Sequence, residues 1–251
     1  ERKGILQVDK DEKNGYRTYP IMKVPMMRSA KILGTYGISL DSVAEIIQDH
    51  DHHLDHLDRT LEQAEARLNH DIEWKRRCLA ALREQREIIS HGIGTVYFAE
   101  LDEMAYLEYY GAEKLRANKK LQRQVDQWLQ GMPIVMPAPC CPRELVGQDC
   151  YCPAGFMVRQ ADMDFLGLRE EENVRVLPAR LCVCTTVAQR EEVGIMAKEA
   201  IEPLLIFIQQ TGLCVAGDAL FRCISFESNE NSSGKIYYHV MLPVEVGKTP
   251  K

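Results

Sequence analysis

The chain has 251 residues, enough for one large domain or two smaller ones, and its composition is that of an ordinary globular protein. No apolar run approaches the length of a membrane-spanning helix, and the nine scattered cysteines are typical of free thiols in a reducing cytoplasm. Residues 1–39 carry eight basic and four acidic side chains, although the whole chain has a net charge of −6. Only this N-terminal segment therefore favours a polyanion.

A β-hairpin is the first element that the sequence predicts. The turn signal Asn14-Gly15 leads into Tyr16-Arg17-Thr18-Tyr19, whose aromatic and β-branched residues suit a strand, and Leu6-Gln7-Val8 supplies the partner strand. The chain opens at Glu1 in what looks like the tail of a helix that stops at Gly4. We therefore expect a further segment upstream.

Three helices are expected after the hairpin. The first begins at Pro25 and is broken at Gly34 and Gly37, and the second begins after Ser39, a plausible N-cap. The third has apolar residues at steps of three and four, which predicts a helix of roughly thirty residues or more with a narrow apolar seam. The seam residues are Leu54, Leu57, Leu61, Ala64, Leu68, Ile72 and Leu79. A narrow seam favours pairing with a second copy, and the alternative is a helix that lies on its own domain.

The C-terminal part follows the loop at His91–Gly94 and contains one pattern twice. The first copy is a strand at 96–110, a helix at 113–130 and strands at 153–159. The second is a strand at 174–187, a helix at 191–210 and strands at 219–227 and 236–244. Two such units predict an α+β domain with pseudo-twofold symmetry. Pro203 falls inside the second helix, whose buried face is expected at Val193, Met196, Ala197, Ala200, Ile201, Leu204 and Ile208.

These residues resemble a known family over nearly the whole chain. The stretch 14–19 looks like the wing of MerR-type transcription regulators, 27–47 looks like the helix pair that follows it, and 1–6 resembles the junction before the wing. From Gly94 onward the chain is similar to the GyrI-like effector-binding domain of the multidrug-sensing branch. The matching stretches there are Val176-Leu177-Pro178-Ala179, Cys184-Thr185-Thr186 and 237–244.

The resemblance implies an α+β protein of three parts whose recognition helix lies upstream. A partial winged helix is expected at residues 1–49, a long dimerisation helix at 50–90 and the GyrI-like domain at 94–246. For the wing and the next helix it implies contacts with DNA phosphates, which position the protein without specifying a sequence. The residues expected to make these contacts are Tyr16, Arg17, Tyr19, Arg28 and Lys31.

For the C-terminal domain the resemblance implies a cavity lined by aromatic rings that stack on an aromatic small-molecule effector. The candidate ligand-binding residues are Tyr106, Glu108, Tyr110, Phe156, Tyr237 and His239. His239 stands where that branch often has a carboxylate. A neutral imidazole does not replace an anion as counter-charge, so a neutral or anionic effector is the alternative to a cationic drug.

Two tracts suggest metal chemistry at first sight. Cys140, Cys141, Cys150 and Cys152 lie within 13 residues and leave three readings open: a soft-metal site, a thiol sensor, or packing. The tract from Asp49 to His56 places His52 and His56 one helical turn apart, but aspartates at a helix start are favoured by the dipole alone. We therefore expect no metal site and no cofactor.

The sequence as a whole predicts a regulator rather than an enzyme. The expected partners are double-stranded promoter DNA, a small-molecule effector and a second copy of the chain, with RNA polymerase involved indirectly through the shared promoter. A stand-alone binding or sequestering protein is one alternative. A GyrI-like hydrolase of reactive small molecules, using Glu108 and Tyr237, is the other.

Overall fold

The computed structural model describes residues 9–10, 14, 16–49, 51–110, 118–190, 195–196, 198–229 and 232–246. The chain forms two compact units, Glu1–Arg77 (unit 1) and Cys78–Lys251 (unit 2). Helices combine with antiparallel sheets, which confirms the α+β class. Within the described ranges, no helix is long and apolar enough to span a membrane.

Unit 1 begins with the predicted hairpin. Strand β1 (Asp9–Lys10) pairs antiparallel with β2 (Arg17–Thr18). In the turn, the side-chain oxygen of Asn14 accepts a hydrogen bond from the Tyr16 backbone N–H at 2.9 Å, as asparagine commonly does. The partner strand expected at residues 6–8 lies outside the described residues.

Two short helices follow, α1 (Val24–Thr35) and α2 (Leu40–Gln48). The break predicted at Gly34 is wrong, since a glycine inside a helix costs only about 1 kcal/mol and does not by itself end it. The chain turns at Gly37 instead, where φ is 75°. Ser39 caps α2 as predicted, because its hydroxyl accepts a hydrogen bond from the Ser42 backbone N–H.

The long helix α3 spans His53–Ser90, 38 residues. Its start is ordered by Asp49, whose carboxylate accepts a hydrogen bond from the His52 backbone N–H at 3.0 Å and lies 3.3 Å from the ring of His56. His53 hydrogen-bonds the backbone carbonyl of Ile46 at 2.8 Å. The side chains of Asp49, His53 and His56 therefore make polar contacts within the protein at the N-terminal end of α3.

The apolar seam of α3 has two different environments. Within unit 1, Ala64 is buried in a core with Leu33 and Val43. Further along the same seam, Leu68, Ile72 and Leu79 are 43%, 49% and 46% exposed. Leu57, Leu61 and Ala64 therefore pack on their own domain, whereas Leu54, which is 74% exposed, and the later seam residues leave apolar surface uncovered within one chain.

Unit 2 contains a six-stranded and a four-stranded antiparallel sheet. The first has the order β3 (Tyr97–Leu101), β10 (Arg180–Arg190), β14 (Ser232–Val246), β13 (Ala219–Asn229) and β6 (Cys140–Cys141), with β12 (Leu213–Val215) also paired to β14. The second has the order β5 (Met136–Pro137), β8 (Ala154–Arg159), β4 (Met104–Tyr110) and β9 (Val174–Leu177). A small pair joins β7 (Cys150–Tyr151) to β11 (Ile195–Met196), and the helices are α4 (Lys119–Gln130) and α5 (Lys198–Gln210).

Each of the two long strands predicted in this part is divided in the structure. The strand expected at 96–110 splits at Asp102-Glu103, and its halves join different sheets. The strand expected at 174–187 is interrupted at Pro178-Ala179, since proline has no N–H to donate to a ladder. Because β3 pairs with β10, the two sequence copies do not form separate sheets.

The described helices of unit 2 are Lys119–Gln130 and Lys198–Gln210. Asn118 caps α4, its side chain accepting from the backbone N–H groups of Lys120 and Leu121. Met196 lies in β11 rather than in a helix, so that part of the expected second helix is wrong. Residues 111–117, 191–194 and 197, where the rest of the predicted helix starts fall, lie outside the described residues.

Alternation along the six-stranded sheet creates two cores. Tyr238, Val240 and Leu242 of β14 pack with Ile201, Leu204 and Ile208 of α5, and these three residues of the predicted buried face of that helix are confirmed. The intervening residues, such as Met241, join a second core with residues of the four-stranded sheet. The candidate site lies within this second layer.

Candidate functional site

Unit 2 contains a partly open cavity of about 240 Å³. The last turns of α3 contribute Glu84, Glu87 and Ile88 to its wall, and His91 follows directly after the helix. Both sheets supply the remaining lining residues. The cavity is therefore bounded on one side by the C-terminal end of the long helix.

An ion-pair network fixes this end of the helix to the sheets. Glu84 accepts hydrogen bonds from Arg222 of β13 and from Arg159 of β8 through its two different carboxylate oxygens. Arg159 also donates to Asp102 at 2.8 Å. The Arg222 side chain is only 6% exposed, so its permanent charge depends on this carboxylate for compensation.

Three rings form a stack at the cavity wall. The rings of His91 and Tyr97 lie 3.8 Å apart at 21°, and those of Tyr97 and His239 lie 6.1 Å apart at 13°. The Tyr97 hydroxyl and Nε2 of His239 share a hydrogen bond of 3.0 Å. Burial is the main cause that lowers the pKa of His239 to about 4, with the nearby Arg222 charge as a second cause. His239 is therefore a neutral imidazole at neutral pH.

Sulfur atoms make up much of the remaining lining. Six of the seventeen lining residues are methionine or cysteine: Met104, Met136, Met157, Cys182, Cys184 and Met241. Burial raises the pKa of the Cys182 thiol to about 12 and also raises the pKa of Cys184. Both are protonated at neutral pH, so neither is an activated nucleophile.

Of the six predicted ligand-binding residues, His239 lines this cavity, whereas Tyr106, Glu108, Phe156 and Tyr237 do not belong to its lining. The side chain of Tyr110 lies outside the described part of the chain. Tyr106 is fully buried, with its ring packed over Gly155, where a Cβ would collide with it, and its hydroxyl 3.4 Å from the Pro153 carbonyl oxygen. Arg175 lies over the same ring at 4.9 Å from its centroid. The Tyr106 ring thus has a full set of packing partners.

The other predicted rings lie elsewhere. Phe156 pairs in register with Leu107 and stacks on Tyr109 at 4.5 Å, so strand alternation directs it to the opposite face from Tyr106. Tyr237 donates a hydrogen bond to Glu227 at 2.9 Å. Glu108 is half-buried on β4, and Tyr110 is the last residue of that strand. Their roles in ligand binding stay predictions.

The predicted cysteine cluster is divided between the two cores. Cys141 and Cys152 lie in the core under α5, whereas Cys140 lies in the other core, because adjacent strand residues face opposite sides. The Cys140 sulfur accepts a hydrogen bond from Arg175 at 2.9 Å. The side chain of Cys150 is outside the described part. For Cys140 and Cys141 this arrangement favours packing and does not suit ligation of one ion.

Sequence reasoning missed Tyr97, His91 and Glu84. Glu84 lies near the end of α3, His91 directly after it and Tyr97 on an edge strand. No local sequence pattern connects these residues with β14. One signal was present in the sequence. Residues two apart on a strand share a face, so Met241 was expected on the same side of the sheet as His239, and both line the cavity.

The predicted DNA-contacting residues all lie in unit 1 and are exposed. Tyr16 is 74% exposed beside β2, Arg17 lies on that strand, and Tyr19 follows it. Arg28 and Lys31 are three residues apart on α1 and so share one helix face. Their contacts with DNA stay a prediction.

The chain is similar to several solved protein structures. EcmrR in a DNA complex within EcmrR-RPo is 15% identical, with a TM-score of 0.37 and coverage of 96% of this chain and 90% of that chain. The EcmrR C-terminal domain is 15% identical, with a TM-score of 0.35 and coverage of 60% of this chain and 97% of that chain.

A third similar structure is a Staphylococcus aureus MU50 protein considered a bacterial transcription regulation protein. It is 14% identical, with a TM-score of 0.30 and coverage of 60% of this chain and 97% of that chain. TM-scores this low add no weight to an assignment of function. No model of a protein family matches the chain, and no curated protein does.

The depressed pKa of His239 predicts a specific loss of stability in acid. Unfolded histidine binds a proton near pH 6.5 and folded His239 only near pH 4, so stability falls as the pH drops through this window. The full effect is on the order of 3 kcal/mol. Urea unfolding between these pH values should therefore show a steeper decline for the wild type than for His239→Gln.

The matched control is His70→Gln, which replaces an exposed histidine of α3 and should keep the wild-type slope. Parallel slopes for wild type and His239→Gln would show that His239 is not held neutral by the fold.

Proposed function

We propose that the chain is a dimeric, DNA-binding transcription regulator of the MerR type rather than an enzyme, and that the cavity of unit 2 takes a small effector. One observation carries the proposal: a single helix, α3, contributes residues both to the core beneath α1 and α2 and to the wall of the cavity. Ala64 of α3 is buried against α1 and α2, and Glu84, Glu87 and Ile88 of α3 line the cavity.

The cavity supports regulation because an occupant would touch the helix directly. A ligand shifts an equilibrium only if it binds one state better than the other. An occupant that draws Glu84 away from its arginines, or strengthens that pairing, changes the free energy with which the end of α3 is held against the sheets. RNA polymerase would respond indirectly, through the geometry of the shared promoter.

The N-terminal segment supports DNA binding because its excess positive charge is local. Exposed Arg17, Arg28 and Lys31 follow one another along a hairpin and a helix, the kind of elements that contact phosphates. Neither Glu108 nor Tyr237, on which the hydrolase alternative rests, lines the cavity. The cavity and the basic segment together therefore favour a regulator over this hydrolase.

Removing one basic side chain should weaken DNA binding in a salt-dependent way. We expect Arg28→Ala or Lys31→Ala to lower affinity for the upstream region of the protein's own gene, and to reduce the slope of log K against log salt by about 1. Fluorescence anisotropy at several salt concentrations measures both quantities.

Arg76→Ala is the control, because Arg76 is highly exposed on α3 and pairs with Glu73 at 3.8 Å. Equal salt slopes for Arg28→Ala, Lys31→Ala and Arg76→Ala would remove α1 from the DNA-binding surface.

The exposed part of the seam should hold two chains together. Leu68→Asp places a charge among apolar side chains of two paired helices, so we expect a shift from dimer to monomer in sedimentation velocity. Ala66→Asp adds the same charge about 160° away around the helix and should leave the dimer intact. A monomeric wild type, or equal behaviour of the two variants, contradicts the dimer.

A further inference from the structure

The turn between the hairpin and α1 exposes two adjacent large apolar side chains. It is a single turn of 3-10 helix, Ile21–Lys23, and neither Ile21 nor Met22 is among the described residues of the unit 1 core. Ile21 is 82% exposed and Met22 is 83% exposed, more than any other large apolar side chain in the described part of the chain. Apolar surface residues scattered singly are common, but these two side by side form an apolar tip (Ile21 and Met22) on unit 1.

The backbone around the apolar tip is constrained. Pro20 precedes the turn with a φ of −55°, and the Lys23 backbone N–H donates to the Pro20 carbonyl oxygen at 2.8 Å. Pro25 then lies in the first turn of α1, which begins directly after Lys23. Because proline fixes its own φ, the two prolines limit the freedom of the backbone on both sides of the tip. A constrained turn loses little conformational entropy when its side chains are bound.

The stretch of chain around the apolar tip carries only positive charge. Between Glu12 and Asp41 the sequence contains no acidic residue. The five basic residues in this stretch are Lys13, Arg17, Lys23, Arg28 and Lys31. An apolar tip within a basic segment is complementary to a groove of duplex DNA, because phosphates form the rims of the groove and base edges form its floor.

The dimensions of the turn suit the minor groove. This groove is about 6 Å wide, too narrow for a helix, whose diameter with side chains is about 10–12 Å. Two adjacent side chains on one short turn present a narrower feature. Arg17 lies four residues before Ile21, so their Cα atoms are at most about 14 Å apart. The Arg17 guanidinium can therefore contact a phosphate at the rim of the groove that the tip enters.

We propose that the apolar tip inserts into a base step from the minor groove of the bound DNA and kinks the duplex. The inference rests on the proposed function and names how the regulator deforms its promoter. Isoleucine and methionine are among the side chains that partly unstack a base step in this way, and the resulting kinks are about 20–90°. Pyrimidine–purine steps unstack most easily, so we expect such a step at the position of the tip.

Other occupants of this surface fit the described residues less well. A helix that lies on a membrane has an apolar face along several turns, whereas this tip has two apolar residues on one turn. A second copy of the chain would bring its own acid-free basic stretch against this one, and like charges repel. Duplex DNA satisfies both the apolar and the basic side chains.

The test measures the binding and bending of the upstream DNA by the full chain. Ile21→Ala and Met22→Ala should each lower the affinity about 10-fold, because each removes apolar surface that insertion buries. The slope of log K against log salt should stay that of the wild type, because no phosphate contact is lost. Energy transfer between dyes at the two ends of the duplex should report a smaller bend.

Val246→Ala is the matched control, because Val246 is 80% exposed but lies in unit 2. It should bind and bend the DNA as the wild type does. Arg28→Ala gives the opposite signature, since the loss of a phosphate contact should reduce the salt slope and leave the bend unchanged.

Wild-type bending by the double variant Ile21→Ala/Met22→Ala overturns the proposal. The same conclusion follows if the double variant changes only dimer formation in sedimentation velocity, or only the binding of phosphatidylglycerol vesicles. If the double variant does not fold by circular dichroism, 2-aminopurine at the pyrimidine–purine steps of the DNA decides with the wild type. An increase in its fluorescence on binding supports insertion, and unchanged fluorescence at every such step overturns it.

The outcome is distinguishable from that of the proposed function. Binding of the upstream DNA by the wild type without bending overturns this inference alone and leaves the regulator standing. A wild type that does not bind this DNA at any salt concentration overturns the regulator and the inference together.

Discussion

The pairing of Glu84 with Arg222 and Arg159 is the constraint on which unit 2 depends. A guanidinium as deeply buried as that of Arg222 retains its charge and needs an anion beside it. The anion is the Glu84 carboxylate of α3. If the end of the helix moved away, the buried charge of Arg222 would lose its counter-charge. The cavity exists beside this pairing because the helix is held there as one of its walls.

Strand alternation then separates two environments on either side of the six-stranded sheet. The face toward α5 carries aliphatic and aromatic residues such as Val240 and Phe221, which are fully buried in one core. The other face carries Cys182, Cys184 and Met241 and meets a second set of methionines. Methionine is unbranched and flexible, so it adapts to an irregular space such as the wall of the cavity on this side.

Local elements were predictable from the sequence, and the site was predictable only in part. The Ser39 cap, the Asn14 turn and the extent of α3 follow from short-range chemistry, and each is present. Long-range pairing does not follow from such patterns: Glu84 and Arg222 are 138 residues apart. For the same reason the aromatic residue at the wall is Tyr97 on an edge strand, whereas Tyr106 is used for packing.

Central to the account is the claim that the Glu84 pairing transmits the state of the cavity through α3 to DNA. The most direct test compares the DNA affinity of Glu84→Gln with that of Glu73→Gln, which breaks pairs of Glu73 with the exposed Arg76 and the partly buried Arg77 on the same helix. We expect Glu84→Gln to change affinity for the upstream DNA at least about 5-fold, with Glu73→Gln unchanged. Equal, wild-type affinity in both folded variants would contradict the coupling.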